Sequence, residues 1–263
     1  MERSSTYIVG FAASVCLVCG VLVSSAAVSL KDKQVQNAIL DKQKKVLIVG
    51  GLLDNGTAAT PAEIQTLFKN NITAKIIELK TGKVDASIDV AKFDQEKYTK
   101  DENTSTAAPA RNGAGTKRLP NHTLVYERKK NGKLDRVILP VKGQGLWGPL
   151  YGYFALGADT NTIKGIIFYK HQETPGLGGE IENPSWLNQW PGQLAFEVKK
   201  DDTLGAVKIQ VRKGPAKEGD KYGIDGLSGA TITSRGVTNM LKFWLSENGF
   251  DPYLARIRAG GGK

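Results

Sequence analysis

The chain has 263 residues, 40% hydrophobic and 24% charged, with a net charge of +10, enough to bury one good core. The excess positive charge is scattered among acidic residues and no nucleic-acid reading module accompanies it, so nucleic acid is excluded as an expected partner and the charge is left to face acidic lipid or an acidic protein. Both cysteines, Cys16 and Cys19, lie in an N-terminal apolar stretch, which excludes a disulfide scaffold, a thiolate zinc site and an iron–sulfur cluster from the rest of the chain.

Residues 4–30 carry no charge, and the most apolar part runs from 7 to 28. As a helix it would cross about 30 Å of hydrocarbon. A signal peptide cut near Ser25-Ala26-Ala27 is the competing reading, but the apolar run is long for a signal core. The expected organisation is a short tail (1–6), a transmembrane anchor (7–30) and a folded domain (31–263). Orientation stays open on charge alone. Arg3 precedes the span beside Glu2, whereas Lys31, Lys33, Lys42, Lys44 and Lys45 follow it; yet long domains translocate largely regardless of such a bias. Cys16 and Cys19 are three apart and share a helix face. Two thiols alone make an incomplete site, so they are read as small residues at a helix contact.

Beyond the span, Val35, Ile39, Val46 and Ile48 continue the helical pattern until Gly50-Gly51 ends it. Thr60-Pro61-Ala62-Glu63 predicts a helix start with a capping box and Pro in the first turn, and Ile64, Leu67 and Phe68 form its expected buried stripe. Residues 74–79 read as a strand. The stretch 98–123, rich in Thr, Asn, Ala, Gly and charge, reads as a flexible loop. Strands then dominate. Residues 124–128 and 134–139 flank Asn131-Gly132, a strong hairpin signal; 150–156 and 163–169 flank Asp159-Thr160-Asn161; 194–199 and 206–212 flank Asp201-Asp202. Hairpins without intervening helices imply a mostly antiparallel sheet. Val237, Met240, Leu241, Trp244 and Leu245 mark one late amphipathic helix, ended at Asn248-Gly249. The expected class is α+β: a mostly antiparallel sheet with packed helices, preceded by one transmembrane helix.

Two stretches carry chemistry. In Asp225-Gly226-Leu227-Ser228-Gly229-Ala230-Thr231-Ile232-Thr233-Ser234, a glycine turn feeds small and hydroxyl residues into the start of the last helix. Free N–H groups and the helix dipole make that end suited to an anion, with the Thr231 hydroxyl beside it. A plain Ser/Thr cap is the competing reading, and the missing Walker lysine argues against a nucleoside-triphosphate loop. In His171-Gln172-Glu173-Thr174-Pro175-Gly176-Leu177-Gly178-Gly179-Glu180, a strand gives way to a Gly/Pro loop. His171 and Glu173 suggest a base and partner, but neither has a neighbouring nucleophile and the other histidine, His122, is far away in sequence. No catalytic residue and no metal site are expected. Glycines in the loop would let backbone approach a flat ligand.

The run 225–234 resembles the flavinylation motif of the FMN-binding domain family, and 171–179 resembles the same family's second signature. Gly145-Leu146-Trp147-Gly148-Pro149-Leu150-Tyr151-Gly152 and Lys164-Gly165-Ile166 add to it. With the N-terminal span and Asp41-Lys42-Gln43, the pattern is similar over nearly the whole chain to the C subunits of Na⁺-translocating NADH:quinone reductases. The G subunits of Rnf-type ferredoxin:NAD⁺ complexes share both flavin signatures and form an alternative, as does a flavin-free, membrane-anchored assembly module. The resemblance implies FMN held covalently, as a phosphoester, on Thr231. It implies further contacts from Ser228, Gly229, Ala230 and Thr233 on one segment and Glu173, Thr174, Gly176, Leu177 and Gly178 on the other. A separate flavin transferase would supply the FMN from FAD with Mg²⁺ and release AMP. The domain would lie on the periplasmic side of the bacterial inner membrane, among the other subunits of the complex, relaying electrons to another flavin subunit without binding NADH or quinone itself.

Overall fold

The computed structural model describes residues 4–110 and 112–261. The chain divides into two compact units, Met1–Lys42 and Gln43–Lys263. Helix α1 (Ser5–Val49) carries the apolar stretch, exposed throughout residues 5–30 and apolar and long enough to cross a membrane. Cys16 and Cys19 are both exposed on it. Residues 1–3 of the expected N-terminal tail lie outside the described residues.

In the second unit, helix α2 (Pro61–Asn71) starts with the predicted capping box: Thr60 Oγ1 accepts the Glu63 N–H at 3.3 Å and the Thr60 N–H donates to Glu63 Oε2 at 2.7 Å. Only Ile64 of its stripe is fully buried; Leu67 and Phe68 are half-buried. Strand β1 (Ile72–Glu78) follows without a loop. The segment read from composition as a flexible loop carries regular elements. Helix α3 (Gln95–Lys100) is capped by Asp94, and strands β2 (Ser105–Ala107) and β3 (Arg118–Pro120) pair antiparallel. Arg118 pins that pair through Ser105, donating to its hydroxyl at 2.7 Å and its carbonyl at 2.9 Å. These polar ties between residues distant in sequence are invisible to a composition argument.

The main sheet is built from β1 and four further strands, β4 (His122–Lys130), β5 (Lys133–Gln144), β6 (Pro149–Gly157) and β7 (Ile163–Lys170), in the order β1-β4-β5-β6-β7 with every pair antiparallel. Asn131 and Gly132, at φ 53° and 76°, form the two-residue turn between β4 and β5. The chain then runs through a short helix α4 (Pro184–Leu187) and the strands β8 (Phe196–Val198) and β9 (Leu204–Val207), which pair with each other. Strands β10 (Gln210–Val211) and β11 (Gly223–Ile224) make one small parallel pair, the exception to antiparallel pairing among the described residues. Helices α5 (Thr231–Trp244) and α6 (Asp251–Arg256) close the chain.

Both faces of the sheet are covered, which is why β5 reads as the unbroken apolar run Val137-Ile138-Leu139 instead of alternating. On one face Val137, Leu139, Val141, Phe154, Leu156 and Phe168 pack with Trp190 and with Val237, Met240 and Leu241 of α5. On the other, the buried last turn of α1 (Val46, Leu47, Val49) approaches Ile138 and Gly165. Phe68 of α2 starts a chain of ring contacts there, through Tyr126, Tyr153 and Tyr169, at centroid separations of 5.9, 5.9 and 5.1 Å. Burial pushes the Tyr126 phenol up to about 12. Two arginines meet the carbonyls where α1 ends: Arg136 donates to Val49 O at 3.0 Å and Arg128 to Gly50 O, just past the helix, at 2.6 Å.

An ion pair reaches into this core from its edge. Glu127 is 1% exposed, with Lys75 Nζ 2.8 Å from Oε1 and 2.7 Å from Oε2. The Tyr253 hydroxyl donates to Oε1 at 2.7 Å. Burial, and then the charge of Glu127, push the Tyr253 phenol well above its ordinary range. Glu127→Gln keeps the shape and the acceptor but removes the charge. It is expected to cost about 1–2 kcal/mol, the difference between charge-assisted and neutral hydrogen bonds. A shift of the urea midpoint at unchanged slope would measure it; an unchanged midpoint would mean the pair contributes nothing net.

Candidate functional site

The two stretches singled out in the sequence, 171–180 and 225–234, meet in space. The second forms a turn and then a helix start. Ala230 N–H bonds to Leu227 O at 3.1 Å, with Gly229 in the left-handed region at φ +68°. A β-carbon at position 229 would stand 2.9 Å from Leu177 Cδ2, so glycine serves both the backbone conformation and the close approach of the other loop. Ser234, inside the first turn, accepts the Leu227 N–H on its hydroxyl at 3.1 Å and ties the turn to the helix. The cap residue of α5 is Ala230, without a side-chain cap. Thr231 is therefore the first helical residue and not a capping hydroxyl, and it is exposed. The first N–H groups of a helix have no acceptor within it, so the hydroxyl stands beside donors and the positive end of the dipole.

Glu173 joins the segments. It is 5% exposed. Its Oε2 accepts the Thr233 hydroxyl in a short hydrogen bond and the Leu146 N–H at 3.2 Å; its Oε1 accepts the Trp147 N–H at 2.9 Å. Three pieces of chain converge on one carboxylate: the turn between β5 and β6, the 171–180 loop and the first turn of α5. Glycines make room for it. A β-carbon at Gly145 would be 2.5 Å from Oε1, and one at Gly178 would be 2.6 Å from Oε2 and from Thr233 Oγ1. Glu173 and Thr233, both expected from the resemblance to touch a cofactor, thus commit their polar atoms to each other and to backbone. Thr174 contributes its carbonyl, which accepts the Leu177 and Gly179 N–H groups at 3.1 and 2.9 Å. Gly176, at φ +75°, has open space around it. Ser228 is exposed on the turn.

His171 is held within its own loop. Its Nδ1 accepts the Glu173 N–H at 3.1 Å and its Nε2 lies 3.4 Å from Glu182 Oε1, both within its own loop. His122 pairs instead with Asp85 at 3.1 Å. Asp225 holds the turn. Its carboxylate accepts the Ala216 N–H at 2.7 Å and the Gln189 amide at 3.2 Å, its own N–H donates to Gln189 at 3.0 Å, and its carbonyl accepts the Trp186 indole at 2.8 Å. An open groove of about 550 Å³, lined in part by Gln189, Gln193, Asp220 and Lys221, reaches the motif only at Asp225.

Leu146, Trp147 and Ile232, which the sequence did not mark as site residues, stand exposed on these segments together with the expected Leu177. Leu146 and Trp147, whose N–H groups bind Glu173, are 49% and 66% exposed; Leu177 is 45% and Ile232 51% exposed. Exposed large apolar side chains on segments that meet at one carboxylate are the kind of surface to which a flat apolar group binds. The signal was present in Gly145-Leu146-Trp147-Gly148, but an apolar residue is assigned to a core unless its exposure is known.

The arrangement can hold an anion at the start of α5 and an aromatic ring beside it. Residues 145–246 match the model of a family described as FMN-binding domain. The chain is 43% identical over 260 residues to the C subunit of the Na(+)-translocating NADH-quinone reductase of Pseudomonas aeruginosa, covering 98% of each chain. It is 44% identical to the protein of the same name from Yersinia pestis, covering 93% of this chain and 90% of that one. Among solved structures, Shewanella oneidensis NqrC superimposes with a TM-score of 0.75 at 35% identity, over 83% of this chain and 97% of that one.

Proposed function

The chain belongs to the family of C subunits of Na⁺-translocating NADH-quinone reductases, and from that premise we propose that it carries FMN esterified through its phosphate to Thr231 and relays electrons inside such a complex. The carrying observation is the exposed Thr231 hydroxyl at the first position of α5, beside a turn that packs against Leu177. The residues fit the group. A phosphodiester bears one negative charge, which first-turn N–H groups and the helix dipole hold without a lysine. The exposed faces of Trp147, Leu146, Leu177 and Ile232 offer an apolar bed. Bound there, the isoalloxazine would supply the redox chemistry. The protein's part is to tether, orient and partly shield it. A covalent link keeps the ring on an outward-facing carrier whatever its binding constant.

The other subunits of the complex are the expected partners, together with a flavin transferase during maturation. The relatives favour this reading over an Rnf-type G subunit. The test is direct: the chain, co-expressed with a flavin transferase, is denatured and run on a gel under ultraviolet light. A fluorescent band at the chain's mass is expected. A colourless band would favour the flavin-free assembly module.

Location follows from the same reading, with residues 7–30 as the anchor and 31–263 outside the cytoplasm, where the transferase would act. Trypsin added to intact spheroplasts is expected to cut within residues 98–123, which carry exposed basic side chains. Full protection until lysis would place the domain in the cytoplasm.

A further inference from the structure

We propose that Glu173 is a positioning residue for the flavin site: a buried carboxylate that sets the angle between the tether at Thr231 and the apolar bed at Leu146 and Trp147. This rests on the reading of Thr231 as the tether. Three observations carry it. Glu173 is almost wholly buried, so it cannot lie against a ring seated on the surface. Its two oxygens are occupied by donors from two other segments, Thr233 on one side and the Leu146 and Trp147 backbone on the other. Gly145 and Gly178 leave it just the space it fills. Thr233 stands two residues after the tether. Among the described residues, Trp147 is the most exposed large apolar side chain outside residues 5–30. The carboxylate therefore acts on a ring through both of these without touching it, as preorganised sites require of their supporting contacts.

The chemistry explains why an acid stands there. An ionised carboxylate accepts three hydrogen bonds and donates none, so every donor aimed at it is satisfied. An amide in its place would turn its NH₂ toward a backbone N–H in either orientation, donor against donor: toward Trp147, or toward Leu146 together with the Thr233 hydroxyl. Thr233 can rotate its hydroxyl to answer that; a backbone N–H cannot.

The test compares wild type, Glu173→Gln, Thr233→Val and Thr233→Ser, all as the full chain. In flavin-free protein, amide exchange at Leu146 and Trp147 is expected to quicken by about ten- to a hundredfold in Glu173→Gln, the loss of charge-assisted hydrogen bonds. In flavinylated protein, Glu173→Gln and Thr233→Val are expected to keep the covalent flavin but lose the circular dichroism of its visible bands and show lower flavin fluorescence anisotropy. Thr233→Ser, which restores the hydroxyl, is expected to match wild type. The proposal is overturned if Glu173→Gln and Thr233→Val keep wild-type exchange and flavin dichroism, or if Thr233→Ser is as disturbed as Thr233→Val. Absence of covalent flavin in the wild type would instead defeat the tether, and the exchange measurement would still judge the positioning of Leu146 and Trp147.

Discussion

Thr231→Ala, co-expressed with a flavin transferase, is expected to yield folded protein with no flavin attached after denaturation. The size of the effect follows from how the nearby hydroxyls are used. Thr233 is 1% exposed and bonded to Glu173; Ser234 is 4% exposed and bonded to the Leu227 N–H. Both hydroxyls are already committed within the protein. Ser228 is exposed but lies on the turn, ahead of the helix whose N–H groups would hold the anion. The substitution itself is benign to the fold. Thr231 is exposed at the first helical position, it makes no cap, and alanine is the better helix former. An unchanged denaturation midpoint beside a vanished flavin band therefore reports chemistry and not unfolding. A band persisting at wild-type strength would refute the tether, and its loss in Ser228→Ala alone would move the tether to Ser228.

Much of the fold was legible because its signals are local. The capping box at 60–63, the Asn131-Gly132 turn and the stripe Val237, Met240, Leu241 and Trp244 each depend on neighbours within a few residues, and all appear as expected. The half-burial of Leu67 and Phe68, by contrast, depends on how far a sheet elsewhere extends beneath them. The 98–123 stretch hides its order in bonds such as Arg118 to Ser105. At the site, both motifs were visible as loops with glycines. Their meeting was not, since it requires β5, β6 and β7 to be in register before the 145–148 turn, Glu173 and α5 come together. Glu173 and Thr233 are 60 residues apart in the chain, and nothing local marks one as the partner of the other. Nor does composition reveal that Trp147 faces outward.

Gly236 is where fold and site share one constraint. It lies on the buried side of α5, between the tether and the apolar stripe. A β-carbon there would overlap the carbonyl oxygen of Gln144 and stand 3.2 Å from its carbon and 3.5 Å from Gly145 Cα. These are backbone atoms at the end of β5 and cannot swing aside as a side chain would. One turn on, Gly143 meets α5 from the other side: a β-carbon there would be 2.6 Å from Met240 Cβ. Helix and strand are seated together through glycines, and this seating brings Thr233 to Glu173. Gly236→Val must lift the start of α5 from the sheet. Overpacking of this kind costs on the order of 3 kcal/mol, which better helix propensity at a former glycine offsets by less than about 1 kcal/mol. The expected result is a large fall in the denaturation midpoint, with faster amide exchange at Leu146 and Trp147 as the Glu173 contacts loosen. Arg235→Ala, at the exposed neighbouring position, should change stability by no more than about 0.5 kcal/mol. If Gly236→Val were equally mild, α5 would not rest on β5 through its glycines, and the approach of the tether to the Glu173 cluster would need another cause.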